Sequence, residues 1–261
     1  MNRVCVSLAV VLALAPSVMA QPASAQADRD SAPRESAPLS RFPSELARNF
    51  WTLFSKDNLV PVLVGGAAGA AVIGADDSIV AYFERENRWG SFSGVGTELG
   101  KSQLIGPAIG VSLLVSRLSK NDEFRDLSYS LAQGFIVTNV ITGSIKKIAG
   151  RDRPDGTSTN SFPSGHTSNS FTWATIAQRR YGWKVGAPAY AIASYVGVSR
   201  LQSRKHHLTD IIAGATIGYI VGRTVTRNRD SARDKRLRIG VAVPPGGGAA
   251  LSLGIRVHPA R

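Results

Sequence analysis

Residues 161–167 read Ser-Phe-Pro-Ser-Gly-His-Thr and come shortly before an apolar run that begins at Phe171. Serine and glycine ahead of such a run are typical of a helix start, where unpaired backbone N–H groups bind anions readily. Gly165 lets a ligand approach the backbone, and the Ser164 hydroxyl can donate to a phosphate oxygen. His166 stands where an imidazole can pass a proton to a leaving group. Taken alone, the segment fits an ordinary capped helix with a surface histidine equally well.

A cluster of cations lies upstream, at the end of a long uncharged stretch. Residues 146–154 read Lys-Lys-Ile-Ala-Gly-Arg-Asp-Arg-Pro. Cations at a helix C-terminus are favoured by the helix dipole, so capping alone explains the pattern. A turn at Gly150 would nevertheless bring Lys146 and Arg153 to one anion, and Pro154 would fix the exit of the chain.

Downstream, residues 199–210 contain Ser-Arg, five residues, a histidine, three residues and an aspartate. His206 and Asp210 stand four positions apart, which would place them on one helix face. Asp210 would then accept the Nδ1 proton of His206 and leave its Nε2 as a nucleophile. An apolar stretch follows Asp210, and a carboxylate that enters a core needs a partner. His207 would point away on such a helix, and a surface His–Asp pair is the plainer alternative.

Together the three segments resemble one known family. K-x6-R-P, P-S-G-H and S-R-x5-H-x3-D are the motifs of the type 2 phosphatidic acid phosphatase superfamily, which also includes bacterial class A acid phosphatases and vanadium-dependent haloperoxidases. The resemblance is strongest over residues 146–210 and extends over the helical region from about 55 to 225. It implies an all-α fold, a compact bundle of about six core helices, either embedded in a membrane or in water.

The resemblance also implies a role for each motif residue. His206 would attack phosphorus and form a phosphohistidine, and Asp210 would stabilise its imidazolium. His166 would protonate the leaving oxygen and then activate the hydrolytic water. The phosphate oxygens would be bound by Lys146, Arg153, Arg200, Ser164 and the Gly165 N–H. Fixed cations then take the part that Mg²⁺ plays in other phosphotransferases, so neither a metal nor another cofactor is expected.

The flanks of this region suggest an exported protein. Arg3 and the apolar run after it indicate a signal peptide at residues 1–20, with cleavage as late as 25. An uncleaved membrane anchor is the alternative. We expect a flexible tether at 21–49, the phosphatase domain at 50–225 and a basic C-terminal tail at 226–261. In that tail, two short β-like segments are expected around a loop, at 238–243 and 251–257.

Apolar runs leave the membrane question open. Uncharged stretches cover 58–75, 102–116, 127–145, 185–199 and 211–222. Most are shorter than the roughly 20 residues that a bilayer span prefers, and only 58–75 and 127–145 are long enough to span easily. Glycines recur at four-residue spacing, which predicts close helix approach, in Gly65/Gly69, Gly106/Gly110 and Gly214/Gly218/Gly222.

Charge narrows the choice of partners. The 261 residues contain 31 Lys and Arg against 18 Asp and Glu, a formal net charge of +13. The apolar content excludes a mainly disordered chain, and a single cysteine excludes a disulfide framework. The positive excess suits nucleic acid, an anionic membrane surface or a phosphate-bearing substrate. The export signal and the lack of nucleic-acid motifs argue against nucleic acid. The phosphate pocket and a tail near an anionic envelope surface then account for much of the charge.

The leading interpretation is a metal-independent phosphatase in the periplasm or cell envelope, acting on a lipid phosphomonoester or diphosphate. A soluble periplasmic acid phosphatase acting on small molecules is the first alternative. A vanadium haloperoxidase, with His206 bound to vanadium, and a polyanion-binding protein are the others. Substrate-selecting residues are expected near 76–100 and 118–126, where the acids Asp76, Asp77, Glu84 and Glu86 have no assigned role.

Overall fold

The computed structural model describes residues 39–86, 92–234, 237–242 and 250–255. The expected signal peptide, and the tether as far as residue 38, lie outside these ranges. The helices of the described residues are α1 Phe42–Thr52, α2 Leu59–Val72, α3 Asp76–Glu86, α4 Phe92–Leu99, α5 Ser102–Leu118, α6 Asp122–Ala149, α7 Gly165–Tyr181, α8 Trp183–Gln202 and α9 Leu208–Asp234. Short 3₁₀ turns occupy Leu39–Arg41, Lys56–Asn58 and Ile73–Ala75. The strands β1 Leu237–Ala242 and β2 Ala250–Ile255 form an antiparallel pair.

The all-α helical bundle expected from the sequence is confirmed, and α7 lies at its centre. Helices α6, α8 and α9 pack around α7, while α2 packs on α9 and α5 on α6. Small hydroxyl residues let α7 be buried on several sides because their hydroxyls bond to carbonyls one turn back. Ser168 donates to Ser164, and Thr172 to Ser168, at 2.9 and 2.8 Å. These residues therefore fill a close-packed interior without leaving unpaired polar groups.

The glycine strip of α9 sets its distance from α7. A Cβ at Gly214 would lie 2.6 Å from the Ser164 carbonyl oxygen, and one at Gly218 would lie 2.3 Å from that of Ser168. Neither position leaves space for a side chain, as the four-residue spacing predicted. Gly69 differs, because nothing lies within 4 Å of a Cβ there.

One stretch of the described residues is long and apolar enough to cross a membrane. It runs from Lys56 to Arg85 and includes α2. Leu59, Val60 and Leu63 of α2 are exposed on the protein surface. The second predicted span, 127–145, instead lies within α6 and contributes residues such as Val137 and Thr138 to the interior.

The structure also corrects the expected tether. Helix α1 begins at Phe42, inside the 21–49 segment, and packs on the bundle. Its Asn49 is buried and accepts a 2.8 Å hydrogen bond from the Asn228 amide. The tether prediction is wrong for residues 42–49, because polar side chains that read as solvated are paired inside the fold.

The expected tail boundary at 225 falls inside α9, which continues to Asp234. Arg229 is buried there, and its Nε lies 2.6 Å from a carboxylate oxygen of Asp126. Arg227 pairs with Asp57. These two cations are therefore paired within the bundle rather than presented by a separate tail. The two β-like segments are observed as β1 and β2, within two residues of their expected ends.

Candidate active site

The three motif segments meet at the N-terminal end of α7. Helix α6 ends at Ala149, and the left-handed conformation of the next residue, Gly150, with φ at 53°, turns the chain back toward the bundle. At the start of α7, the Ser164 N–H donates to the carbonyl oxygen of Asp210 at 2.9 Å. The charges of Lys146 and Arg200 both act on His206. The fold thus assembles the eight expected residues into one region, namely Lys146, Arg153, Ser164, Gly165, His166, Arg200, His206 and Asp210.

His206 and Asp210 lie in contact, although not on one helix as expected. Helix α9 begins at Leu208, so His206 lies in the loop before it. Nδ1 of His206 lies 3.5 Å from Oδ2 of Asp210, and the two side chains are 3% and 0% exposed. Burial and nearby cations lower the pKa of His206 to about 4, against the opposing effect of Asp210. The imidazole is therefore neutral at neutral pH, as a nitrogen nucleophile requires.

The Asp210 carboxylate is held from several directions. The Ser161 hydroxyl and the His207 N–H both donate to Oδ2, the latter at 2.9 Å. Arg151 donates to Oδ1 at 2.8 Å. Burial alone would raise the pKa of Asp210, but the hydrogen bonds from His206, His207 and Ser161 hold that pKa well below its usual range. Asp210 is consequently a fixed negative charge beside His206.

His166 faces the same region from the first turn of α7. Its Nε2 is buried and has no hydrogen-bond partner among the described residues. Burial lowers the pKa of His166 to about 3, and the charges of Arg200, His206 and Arg153 act in the same direction. An anion bound among these cations would offset them and raise this pKa, because an opposite charge favours the protonated imidazole.

Three of the expected phosphate ligands, Lys146, Arg153 and Arg200, form a partly buried cationic cluster. Lys146 donates to the carbonyl oxygens of Asn160 and Ser161 at 2.5 and 3.3 Å, and burial beside Arg153 lowers its pKa to about 8. Burial and Arg153 likewise lower the pKa of Arg200 to about 10. The Nε atoms of Arg153 and Arg200 are buried and without a partner among the described residues. The charge of Arg153 acts on both Lys146 and Arg200, so an anion between these cations would be favoured.

Ser164 and Gly165 open α7 as the motif predicts for a helix start. Ser164 is the N-cap residue, and its Oγ accepts from the Thr167 N–H and hydroxyl at 3.5 and 2.9 Å. Its own hydroxyl proton stays available as a donor. A Cβ at Gly165 would meet Thr142 and Lys146 only at ordinary contact distances of 3.8 and 3.9 Å. Packing within the chain therefore does not require glycine at position 165, whereas a ligand close to the backbone would.

Several residues of the site lie outside the expected set. Arg151 stood among the motif cations without a role, and it binds both Asp210 and Asp76. Thr97 of α4 accepts a 2.8 Å hydrogen bond from Nη1 of Arg200. Asp76 and Thr97 both lie in the 76–100 segment, where substrate-selecting residues were expected, but neither had an assigned role because their partners are distant in sequence.

Comparisons with known proteins find one family and several phosphatase relatives. The PAP2 superfamily model matches residues 127–234. A lipid A 1-phosphatase from Porphyromonas gingivalis is 37% identical over 94 residues, which are 35% of this chain and 21% of that protein. A probable diacylglycerol pyrophosphate phosphatase 1 from Schizosaccharomyces pombe is 37% identical over 81 residues, 26% of this chain and 29% of the relative. A lipid A 4′-phosphatase from Helicobacter pylori is 28% identical over 108 residues, 37% and 54% of the two chains.

A solved structure supports the fold. The transmembrane PAP2-type phosphatidylglycerolphosphate phosphatase from Bacillus subtilis superposes with a TM-score of 0.54 at 20% identity, covering 67% of this chain and 96% of that one. The curated relatives are matched over 21% to 54% of their own length. The segment that the PAP2 superfamily model matches, residues 127–234, contains every expected residue of the site, in agreement with the resemblance of the three motifs.

Proposed function

We propose that this chain is an exported phosphatase that hydrolyses a lipid phosphomonoester or diphosphate through a phosphohistidine intermediate. One observation carries the proposal. Buried nitrogens of Arg153, Arg200 and His166 that have no partner in the described part of the chain lie beside a neutral His206, which contacts Asp210. This arrangement supplies anion ligands, a nucleophile, its orienting carboxylate and a proton carrier in one place.

In the first step, the lone pair on Nε2 of His206 attacks phosphorus. The bond from phosphorus to the leaving oxygen breaks with its electron pair, and His166 gives that oxygen a proton. The Nδ1 proton of His206 stays directed at Asp210, 3.5 Å away, whose fixed negative charge stabilises the imidazolium that forms.

In the second step, His166 takes a proton from water as the water oxygen attacks phosphorus. The phosphorus–nitrogen bond breaks, its electron pair returns to Nε2 of His206, and phosphate leaves. Lys146, Arg153 and Arg200 stabilise the charge on the non-bridging oxygens in both steps. No metal is needed in this scheme, because these cations already oppose the phosphoryl charge.

Two observations favour a lipid over a soluble substrate. The relatives named above include phosphatases of lipid A and of diacylglycerol pyrophosphate. In this chain, the exposed apolar helix α2 leads through a short turn to Asp76, which binds the site residue Arg151. If α2 lies in a bilayer, the site lies at the level of its end, where lipid phosphates are found. The signal-like N-terminus favours the outer side of the inner membrane or the periplasm.

A phosphate-release panel tests the proposal. It compares phosphatidate, diacylglycerol diphosphate, a lipid A phosphate and undecaprenyl diphosphate in detergent with a soluble aryl phosphate, each with and without EDTA. We expect a lipid to be hydrolysed fastest, EDTA to have no effect, and vanadate to inhibit by mimicking pentacoordinate phosphorus. Loss of activity in EDTA that Mg²⁺ restores would refute the metal-independent scheme, and a preference for the aryl phosphate would favour the soluble acid phosphatase.

Matched variants test the assigned residues. His206→Ala and His166→Ala should each abolish turnover while the thermal unfolding curve changes little. Lys146→Met should weaken substrate and vanadate binding, whereas Lys147→Met should not, because Lys147 is exposed. Near-normal turnover by His206→Ala would refute the phosphohistidine mechanism.

A further inference from the structure

Arg151 bridges two buried carboxylates. Its Nη1 donates to Oδ1 of Asp210 and its Nη2 to Oδ2 of Asp76, both at 2.8 Å. The side chains of Asp76 and Asp210 are 3% and 0% exposed. Asp76 is the first residue of α3 and Asp210 lies in the first turn of α9, so the guanidinium joins elements distant in the sequence.

Thr209 holds the far end of this bridge in place. Its N–H donates to Oδ1 of Asp76 at 3.1 Å, and its hydroxyl donates to Oδ2 of the same carboxylate. Arg151 also reaches the Thr209 oxygen, at 2.6 Å. Asp76 is thus fixed by both the backbone and the side chain of the residue next to Asp210. The pKa of Arg151 is raised despite its burial, because the hydrogen bonds and charges of Asp76 and Asp210 favour the cation.

The charges in this group have a consequence for His206. A guanidinium paired with Asp210 alone would cancel the negative charge that faces the imidazole. Because Asp76 shares the same guanidinium, the three groups together have a net charge of −1. The net negative charge stays in contact with His206 through Asp210, whose Oδ2 lies 3.5 Å from Nδ1. Arg151 at the same time fixes the carboxylate by binding its other oxygen.

We propose that Asp76 and Arg151 are positioning residues, which hold Asp210 in place and preserve its net negative charge toward His206. The inference rests on the proposed function, since it assigns these two residues a part in the same reaction. Charged or titratable groups also face His206 from the other elements around it, namely Lys146 of α6, His166 of α7, Arg200 of α8 and Asp210 of α9.

The test removes one charge of the group and then restores the net charge with a second substitution. Asp76→Asn removes one negative charge and leaves the group neutral, so the imidazolium of His206 loses its stabilisation. Asp76→Asn/Arg151→Met removes a charge of each sign and restores −1. We expect the single variant to lower kcat by about tenfold with KM within about twofold, and the double variant to recover part of that loss, since it restores the charge but not the hydrogen bond to Oδ1 of Asp210. A merely structural role predicts the opposite order, since the double variant loses more contacts. Asp77→Asn is the matched control, because Asp77 is exposed.

A second readout does not depend on activity. The chain has four histidines, so the ring signals of histidine-labelled protein can be assigned with His206→Gln. The pKa of His206 should fall by about half a unit in Asp76→Asn and return to the wild-type value in the double variant. Should Asp76→Asn not fold, Arg151→Lys is expected to keep the wild-type pKa and Arg151→Met to raise it. An unchanged pKa in every folded variant overturns the inference. A wild-type protein that releases no phosphate overturns the proposed function alone, and the pKa measurement still decides the role of Asp76 and Arg151.

Discussion

The backbone of Gly100 lies against the imidazole of His166, so closely that a Cβ at position 100 would stand 2.6 Å from the ring carbon Cδ2. Gly100 directly follows α4, whose Thr97 holds the guanidinium of Arg200. The α4 segment therefore contacts both the proposed acid and one of the phosphate ligands.

Gly100→Ala should displace the ring of His166 while leaving the bundle intact. A misplacement of about 1 Å in such a group costs up to about 100-fold in rate, so we expect kcat to fall by about 10- to 100-fold. The measurement is steady-state phosphate release, with thermal unfolding as the check on folding. Gly94→Ala in α4 is the control, because nothing lies within 4 Å of a Cβ there. Equal activity of both variants would show that Gly100 does not position His166.

Lys146 predicts how anion binding depends on pH. Its pKa is lowered to about 8, by burial first and then by Arg153. As the pH rises through this value the ammonium loses its proton, so the inhibition constant of orthophosphate should increase above about pH 8. Lys146→Arg should shift that increase to higher pH, because an arginine keeps its charge. Lys147→Arg should leave the profile unchanged, and a profile that Lys146→Arg does not move would assign the transition to another group.

Substitution of Gly218 should change the stability of the protein without touching the candidate active-site residues. A Cβ there would lie 2.3 Å from the Ser168 carbonyl oxygen, which belongs to the backbone and has little room to yield. Gly218→Ala should therefore lower the free energy of unfolding by about 2 to 3 kcal/mol. Gly69→Ala should leave it unchanged or raise it by about 0.5 to 1 kcal/mol, since that position is open and alanine favours a helix. Denaturant unfolding measures both, and a neutral Gly218→Ala would contradict the tight α7–α9 contact.

Removing the Asp126 carboxylate should lower the free energy of unfolding more than Gly218→Ala does. Asp126 belongs to a buried ion-pair network that lies outside the three motifs. Its carboxylate pairs with Arg180 and Arg229, whose side chains are 6% and 5% exposed. Asp126→Ala would leave two buried guanidinium groups facing each other and should cost about 3 to 5 kcal/mol of the free energy of unfolding. Asp122→Ala should cost no more than about 1 kcal/mol, because its pair with Arg125 is exposed. Similar losses in the two variants would argue against a buried network.

The same ion-pair network determines how the stability of the protein changes as the pH falls. Burial opposes ionisation of Asp126, but Arg180 and Arg229 outweigh it and lower the pKa of Asp126. A lowered carboxyl pKa contributes stability that is present above the unfolded value and is lost as the pH falls through the folded one. Asp126→Ala should therefore flatten the fall in stability on the acid side.

The motifs predicted the helical fold and which residues would lie near one another, because the charges of Lys146, Arg200 and Asp210 all act on His206 in the folded chain. The local backbone conformation around His206 was harder to predict from the sequence. The spacing of His206 and Asp210 predicted their contact correctly, but His206 is not helical. Arg204 has a φ of 53°, and the N–H groups of Lys205 and His206 both donate to the Arg200 carbonyl, which ends α8 before α9 begins. A four-residue spacing does not distinguish a helix from such a turn.

Contacts between distant segments were beyond prediction for a different reason. Asp76 and Arg151 each have an ordinary local explanation, as a helix N-terminal acid and a C-terminal cation. Their pairing becomes visible only once α3, the loop after α6 and the start of α9 are placed together. The same holds for Asn49 and Arg229, whose polar character suggested a tether and a tail but whose partners lie across the bundle.

One continuous helix, α9, contains both a residue of the candidate active site and a residue of the buried ion-pair network. Asp210 stands in its first turn and Arg229 in its last part, within a single helix of 27 residues. A chain shortened after residue 225, where composition suggests a harmless cut, would lose Arg229 and leave Asp126 with half of its charge partners. Truncation, proteolysis or a premature stop in this stretch would therefore act as a lesion of the folded core, and the dispensable part of the C-terminus can begin only after α9 ends.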